Sequence, residues 1–208
     1  MEIAKELINL FTSIIVCGTA IWGINAWRRE LKGKKQFEVA EEVLSLFYEC
    51  KDILNEIRSP FGYVSEGKTR KRNENESEED SKTFDRAFVV FERYNKRFDS
   101  INKLRTLKYR YMTLISNGNS KCFDDLLSIF KDVLSSAEML GSIYWNNKNT
   151  KYYTEDEKNL HLEEMKIHQS IIWNSGSEND GVNLRLKEAL TNVEKELSKI
   201  LLPKKYYN

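Results

Sequence analysis

The chain has 208 residues, with 33 basic and 32 acidic side chains and a formal net charge of +1. This balance gives no global positive field for nucleic acid, so no nucleic-acid partner is expected. Only 2 prolines and 9 glycines are present, which favours long helices over many short strands. The three cysteines, Cys17, Cys50 and Cys122, are widely spaced and odd in number. They fit unpaired thiols in a reducing cytoplasm better than a disulfide framework or a metal knuckle.

Residues 7–27 form an unbroken uncharged run. An α-helix needs about 20 predominantly apolar residues to cross the hydrocarbon of a bilayer, so the run is long enough. Hydroxyl side chains within it are tolerated in lipid because they can donate to the backbone carbonyl one turn earlier. The run therefore predicts a single transmembrane helix.

Three other interpretations of this run remain open. A cleaved signal peptide should have a basic start and a small-residue cleavage site, whereas this chain starts with Glu2, Lys5 and Glu6 and shows no such site. A bacterial lipoprotein would need a small residue before its cysteine, and Val16 precedes Cys17. A buried core helix would more usually show polar residues on one face at every turn.

Basic residues follow the run at once, and tryptophans lie at the same end. Short flanks rich in Lys and Arg stay in the cytoplasm, and tryptophan favours the membrane interface. We therefore predict a plasma (inner) membrane protein with its N-terminus outside and its C-terminal part cytoplasmic. The basic cluster either only fixes this topology or also recognises a lipid headgroup. The predicted membrane-interface residues are Trp22, Trp27, Arg28, Arg29, Lys32, Lys34 and Lys35.

The rest of the chain shows helical apolar periodicity and no convincing alternating strand. Thr154 with Glu157 has the capping-box spacing of a helix start, Ser120 is a candidate cap, and Pro60 and Pro203 are expected helix stops. The predicted fold class is all-α: one transmembrane helix followed by an antiparallel cytoplasmic bundle of four to five helices. Residues 1–35 form the anchor and residues 36–208 the bundle. The predicted bundle helices cover about residues 36–58, 82–116, 120–144, 154–173 and 183–202.

A charged loop is predicted for residues 62–81. It has low apolar content, so we expect it to be mobile and to act as a solvated tether rather than as a second membrane or RNA contact. Basic residues come first and acidic residues follow: Lys68, Arg70, Lys71 and Arg72, then Glu74, Glu76, Glu78, Glu79 and Asp80.

One group of possible metal ligands shares a face of the fourth bundle helix: Glu157, His161, Glu164 and His168. Helical bundles can build zinc or iron sites from such residues. The di-iron pattern needs Glu three residues before His, where Lys158 and Met165 stand here. A solvent-facing stripe is therefore preferred and no metal is expected, with His161, Glu164 and His168 as weak candidates.

No other catalytic pattern is present. The sequence lacks a phosphate-binding glycine loop, an H-E-x-x-H motif, a G-x-S-x-G motif and an Arg a few residues before a His. We therefore predict no enzyme activity, no catalytic residue, no cofactor and no identifiable small-molecule substrate.

The segment W-R-R-E-L-K-G-K-K-Q-F-E-V-A-E-E-V-L, followed by I-R-S-P-F, covers residues 27–61. It resembles a set of bacterial proteins of uncharacterised function that have one N-terminal membrane helix and a helical cytoplasmic domain. The resemblance implies the same layout and no activity. Within it Arg58 and Pro60 are the most distinctive residues, and a structural role at the helix end is preferred.

These observations predict a membrane-tethered helical interaction or regulatory module. We expect a bacterial origin, because a chain rich in Lys, Asn and Ile is typical of AT-rich bacterial genomes. Its expected partners are the lipid bilayer and either another protein or further copies of itself. One alternative is an oligomerising membrane effector, for example in phage defence. A more remote alternative is a metal-dependent enzyme that uses the fourth bundle helix.

Overall fold

A computed structural model describes residues 2–145 and 153–202, except for the side chain of Ala4. This part of the chain contains helices and no strand, which confirms the all-α fold class. A π-helical turn, Leu140–Tyr144, directly follows the fourth helix. Within the described ranges the six α-helices are α1 (Glu2–Ile57), α2 (Glu78–Lys96), α3 (Phe98–Leu114), α4 (Lys121–Met139), α5 (Glu155–Ile172) and α6 (Gly181–Leu201).

Helix α1 joins the apolar run and the first predicted bundle helix into one element. Gly33 does not interrupt it, because a single glycine lowers helix stability only by about 1 kcal/mol. Where side chains are described, Val39 is the first buried residue of α1. The helix therefore has an exposed N-terminal half and a core-forming C-terminal half, and it ends at Ile57 shortly before Pro60.

The single helix predicted for residues 82–116 is wrong: the structure divides it into α2 and α3 at Arg97. Arg97 has φ −112° and ψ 11°, outside the helical region, and its N–H bonds to the Tyr94 carbonyl at 3.0 Å. The break lets α2 pack on α4 and the π-helical turn while α3 packs on α1. No glycine or proline marks this position, so tertiary packing determines it.

Two predicted helix starts differ in outcome. Thr154 forms the expected capping box on α5: its hydroxyl accepts from the Glu157 N–H at 3.3 Å, and the Glu157 carboxylate accepts from the Thr154 N–H at 2.7 Å. Ser120 stands at the N-cap position of α4 but makes no cap bond, because its hydroxyl donates to the Asp124 carboxylate at 2.7 Å. The predicted stop at Pro203 lies outside the described residues, as do residues 146–151, the polar stretch that follows the third predicted bundle helix.

The predicted charged loop is shorter than expected, because α2 begins at Glu78 and its N-cap is Ser77. The remaining loop is joined to α2 by several ion pairs. Arg70 and Arg72 both pair with Asp85 of α2, at 3.2 and 2.6 Å, and the N–H of Gly67 donates to Glu92 of α2 at 2.8 Å. The mobility of this segment stays a prediction.

The core forms where the C-terminal half of α1 packs on α3 and α6, and α4 packs on α2, α5 and α6. Phe123 of α4 lies at its centre, with ring centroids 5.0 Å from Phe47 and 5.1 Å from Tyr111. In the part of the chain that the structure describes, thirty buried residues form this cluster, so the helices share one hydrophobic core.

Both α3 and α6 run back along α1. The Gln36 amide donates to the Leu114 carbonyl at 2.5 Å, whereas Arg97, just before α3, pairs with Glu56 at 2.8 Å. For α6, Asp180 meets Arg58, while Glu194 accepts from Tyr48 at 2.6 Å. The structure therefore has a proximal end, formed by Gln36 with residues 114–121 and 195–202, which lies next to the exposed half of α1. Its distal end is formed by residues 58–66 and 170–183.

Candidate functional site

The apolar run of α1 is fully accessible. No residue of its most apolar 18-residue window is buried, and its large apolar side chains are between 51% (Leu7) and 70% (Trp22) exposed. The hydroxyl side chains donate to earlier carbonyl oxygens, as expected, at 2.8 to 2.9 Å: Thr12 to Ile8, Ser13 to Asn9 and Thr19 to Val16. These polar groups are therefore satisfied inside the helix and need no water.

Among the described residues, α1 is the one helix long and apolar enough to cross a membrane. The structure leaves all of the predicted interface residues exposed on α1, beside or just beyond the apolar run: Trp22, Trp27, Arg28, Arg29, Lys32, Lys34 and Lys35. None of them packs into the core. Their position at a membrane interface stays a prediction.

All four predicted ligands of the fourth bundle helix lie on α5, and three of them, His161, Glu164 and His168, contact Tyr144. The ring centroid of Tyr144 is 5.0 Å from that of His161 and 5.1 Å from that of His168. His161 Nε2 lies 3.2 Å from the Tyr144 carbonyl oxygen, and His168 Nδ1 lies 3.1 Å from the hydroxyl of Ser136. The Tyr144 hydroxyl donates to Glu164 at 2.7 Å, and this hydrogen bond, together with burial, raises the pKa of Tyr144.

The predicted solvent-facing stripe is therefore wrong for the two histidines, which are half-buried against the π-helical turn. Helical periodicity places His161 and His168 on one face, but it cannot show that Tyr144 covers that face. Glu157 is occupied by the cap of α5. The described part of the chain contains no group of three His, Cys, Asp or Glu residues arranged to hold a metal ion.

Arg58 is fully buried at the distal end and joins three helices. Its guanidinium donates to Ile171 O (2.8 Å), Ser170 O (3.0 Å), Trp173 O (3.1 Å), Asn183 Oδ1 (3.0 Å) and Asp180 Oδ2 (2.9 Å). The end of α1 is thus bonded to the last turn of α5 and the first turn of α6. This agrees with the structural role preferred for Arg58 from the sequence.

Asp180, the partner of Arg58, was not identified from the sequence. Burial alone would raise the pKa of Asp180, but hydrogen bonds from Arg58 and from the N–H groups of Asn183 and Ser175 lower it to about 2. Its other oxygen caps α6 by accepting from Val182 and Asn183, both at 3.0 Å. An acidic residue just before an apolar helical pattern was the available signal.

A second buried arginine, Arg93 of α2, holds the loop that follows α1. Its guanidinium donates to the carbonyl oxygens of Ser59 and Phe61, both at 2.7 Å, and pairs with Glu66 at 2.7 Å. Hydrogen bonding and Coulomb attraction from Arg93 lower the pKa of Glu66, against the effect of burial. This loop presents its apolar side chains to solvent, with Tyr63 82% exposed. The loop therefore gives the distal end an exposed apolar surface.

No family model, curated protein or solved structure matches this chain. The resemblance of residues 27–61 to bacterial membrane-helix proteins therefore stays a sequence-based expectation.

Proposed function

We propose that this protein is a membrane-tethered helical interaction module. In this proposal α1 crosses the inner membrane of a bacterium once, with its N-terminus outside. The remaining helices form an antiparallel bundle in the cytoplasm, whose surface binds a protein partner or a second copy of the chain. The exposed, apolar N-terminal half of α1 is the observation that carries the proposal.

The distribution of apolar residues around α1 favours lipid over a protein partner. Ile14, Ile15 and Val16 are consecutive, so they point in directions about 100° apart, and each is at least 59% exposed. A protein-docking helix is apolar along one stripe, whereas a helix that is apolar on all sides is typical of a membrane span. Lipid is the environment that covers every face at once.

The basic residues favour the proposed orientation. Five of the eight residues from Arg28 to Lys35 are positively charged, and they follow the apolar run without a gap. Such a cluster near the end of a span is retained in the cytoplasm. The larger part of the chain, including the buried core, follows this cluster and is therefore placed on the cytoplasmic side.

Fractionation of cells that produce the full chain tests the tether. We expect the protein in the membrane pellet after an alkaline carbonate wash. Ile14→Lys with Ile15→Lys should move it to the supernatant, because each lysine at the centre of a span costs about 2.5 to 3.5 kcal/mol. The matched control is Leu160→Lys with Ile167→Lys, two α5 residues with similar exposure, 57% and 58%. Wild-type protein in the supernatant would contradict the tether.

Photo-crosslinking tests the interaction. A photoreactive residue at Tyr63, on the exposed distal loop, should give a discrete adduct in intact cells. Absence of any adduct from this and other exposed positions of the cytoplasmic part would contradict an interaction module. Collapse of the membrane potential when the full chain is produced would instead favour the membrane effector, since a passive tether leaves the potential unchanged.

A further inference from the structure

We infer that the proximal end of the helical body carries a second membrane contact, a lysine-lined groove that binds anionic phospholipid headgroups of the leaflet next to it. This inference depends on the proposed membrane tether. It assigns a function to a surface that is separate from the apolar run and from the basic residues that follow it.

The groove lies between the first turn of α4 and the last turns of α6, and its volume is about 330 Å³. Lys121, Lys195 and Lys199 line it and are exposed. No acidic side chain of the described residues forms an ion pair with any of these three lysines. By contrast, Lys108 nearby is paired with Asp124 at 2.5 Å.

Two carboxylates share the groove, Asp125 and Glu196. Glu196 accepts a hydrogen bond from the hydroxyl of Tyr111. Three lysines and two carboxylates leave one net positive charge in the groove. The segment of α1 from Arg28 to Lys35 adds five positive charges and one negative charge, that of Glu30. The groove and this segment therefore carry net positive charge together, which complements an anionic leaflet.

The length of α1 places this end close to lipid. Gln36 stands nine positions after Trp27, so the proximal end lies about 14 Å beyond the tryptophan along the helix, at about 1.5 Å per residue. The headgroup layer itself occupies about 5 to 8 Å of that distance. The remaining gap is comparable with the Debye length of about 8 Å at physiological ionic strength.

Tilting of α1 reduces the gap further. Because α1 is unbroken, the body follows the tilt of the span. At an average tilt of about 20°, a helix packed about 8 to 10 Å beside α1 is lowered by about 3 Å. Helix α6 packs directly on α1, and α4 packs on α6, so tilting in their direction lowers the groove towards the headgroups.

Fluorescence quenching in reconstituted vesicles tests this contact with the full chain. A fluorophore is attached to Leu202→Cys, at the proximal end, in a Cys17→Ser background, while Cys50 and Cys122 stay buried. Vesicles contain a headgroup-quenching lipid in phosphatidylcholine alone or in a mixture with phosphatidylglycerol. We expect strong quenching only in the mixture, and its loss at about 1 M salt, where the Debye length is about 3 Å. The same label on Val64→Cys, at the distal end, should stay unquenched.

Charge reversal identifies the lysines responsible. Each lysine near an anionic leaflet changes the ratio of docked to undocked protein about fivefold, so Lys121→Glu, Lys195→Glu and Lys199→Glu together should lower it by about a hundredfold or more. The matched control reverses Lys51 of α1, Lys131 of α4 and Lys187 of α6, which are exposed lysines further from the membrane. A Lys→Gln triple variant of the groove should act in the same direction as the Glu variant.

Equal quenching in the two kinds of vesicle, or equal losses in the groove and control triple variants, would overturn the second contact. Failure of the tether is distinguishable from this result. Protein that leaves the vesicles in a carbonate wash contradicts the proposed membrane anchor. Protein that stays embedded while the Leu202→Cys label remains unquenched contradicts the groove contact alone.

Discussion

Breaking the buried ion pair between Arg58 and Asp180 should destabilise the folded body more than any surface substitution. The side chains are 0% and 2% exposed, and Arg58 also satisfies three backbone carbonyl groups of residues 170–173. Removal of one partner leaves the other charge buried without compensation, which costs about 3 to 5 kcal/mol. The Arg58→Leu and Asp180→Ala variants should both lose stability in this range.

Asp180→Asn separates the ion pair from the helix cap. Asparagine can still accept the N–H bonds at the start of α6, whereas alanine cannot. Asp180→Ala should therefore be less stable than Asp180→Asn by about 1 kcal/mol, the typical value of an N-cap. The free energy of unfolding can be measured by urea denaturation of the full chain in detergent, followed by tryptophan fluorescence, because Trp173 lies beside this pair and its backbone carbonyl accepts a hydrogen bond from Arg58.

The pH dependence follows from the same site. The pKa of Asp180 is lowered to about 2 in the folded chain, against about 3.9 for an unfolded aspartate. The ionised carboxylate therefore contributes stability that is fully present above about pH 5 and is lost as the pH falls through 2. The whole contribution is about 2.6 kcal/mol, and about 1 kcal/mol of it should be gone at pH 3.

Wild type should lose about 1 kcal/mol more than Asp180→Asn between pH 6 and pH 3. An equal loss in the two proteins would refute the assignment of the lowered pKa to Asp180. Equal stability of Asp180→Ala and Asp180→Asn would refute the cap. A cost below about 1 kcal/mol for Arg58→Leu would show that the buried pair is not needed for the fold.

Two further outcomes are expected. Gly67→Ala should lower the free energy of unfolding by at least about 2 kcal/mol, because Gly67 has φ +81° and an added Cβ would overlap the carbonyl of Asp85. Gly118→Ala should cost only about 1 kcal/mol, because Gly118 has φ +98° but open space around it. Thermal or urea unfolding measures both. Burial raises the pKa of Cys50 to about 12 and that of Cys122 to about 11. Neither thiol should therefore react with a maleimide at pH 7 until the chain unfolds. Rapid labelling of either cysteine in the native protein, detected by mass spectrometry, would contradict this burial.

Features encoded within a few residues were predictable from the sequence. The apolar run became a continuous helical segment, and Thr154 with Glu157 formed a capping box, because both depend on local spacing. The break at Arg97 was not predictable, because it depends on α2 and α3 packing against different helices, which no local pattern shows. Helical periodicity likewise predicts that His161 and His168 share a face. It does not predict their contact with Tyr144, because Tyr144 belongs to a separate π-helical turn.

The ion pair at the distal end shows the same limit. The motif around Arg58 marked that residue as distinctive, but its partner lies 122 positions further along the chain. No local pattern connects the two. Pairing over this separation is decided by how α1 and α6 pack, and only a three-dimensional description brings Arg58 and Asp180 together.

The continuity of α1 also has a mechanical meaning. Because α1 has no hinge between the apolar run and Val39, the helical body cannot rotate about the helix axis independently of the span. A rotation of the span is therefore transmitted to the core residues around Phe47. Each inserted residue between Arg28 and Lys35 would swing the body by about 100° about the helix axis, and seven inserted residues would nearly restore the original phase. If function is lost and recovered with the helical period along this insertion series, the orientation of the body relative to the span matters. If function is the same at every insertion length, α1 is only a passive tether.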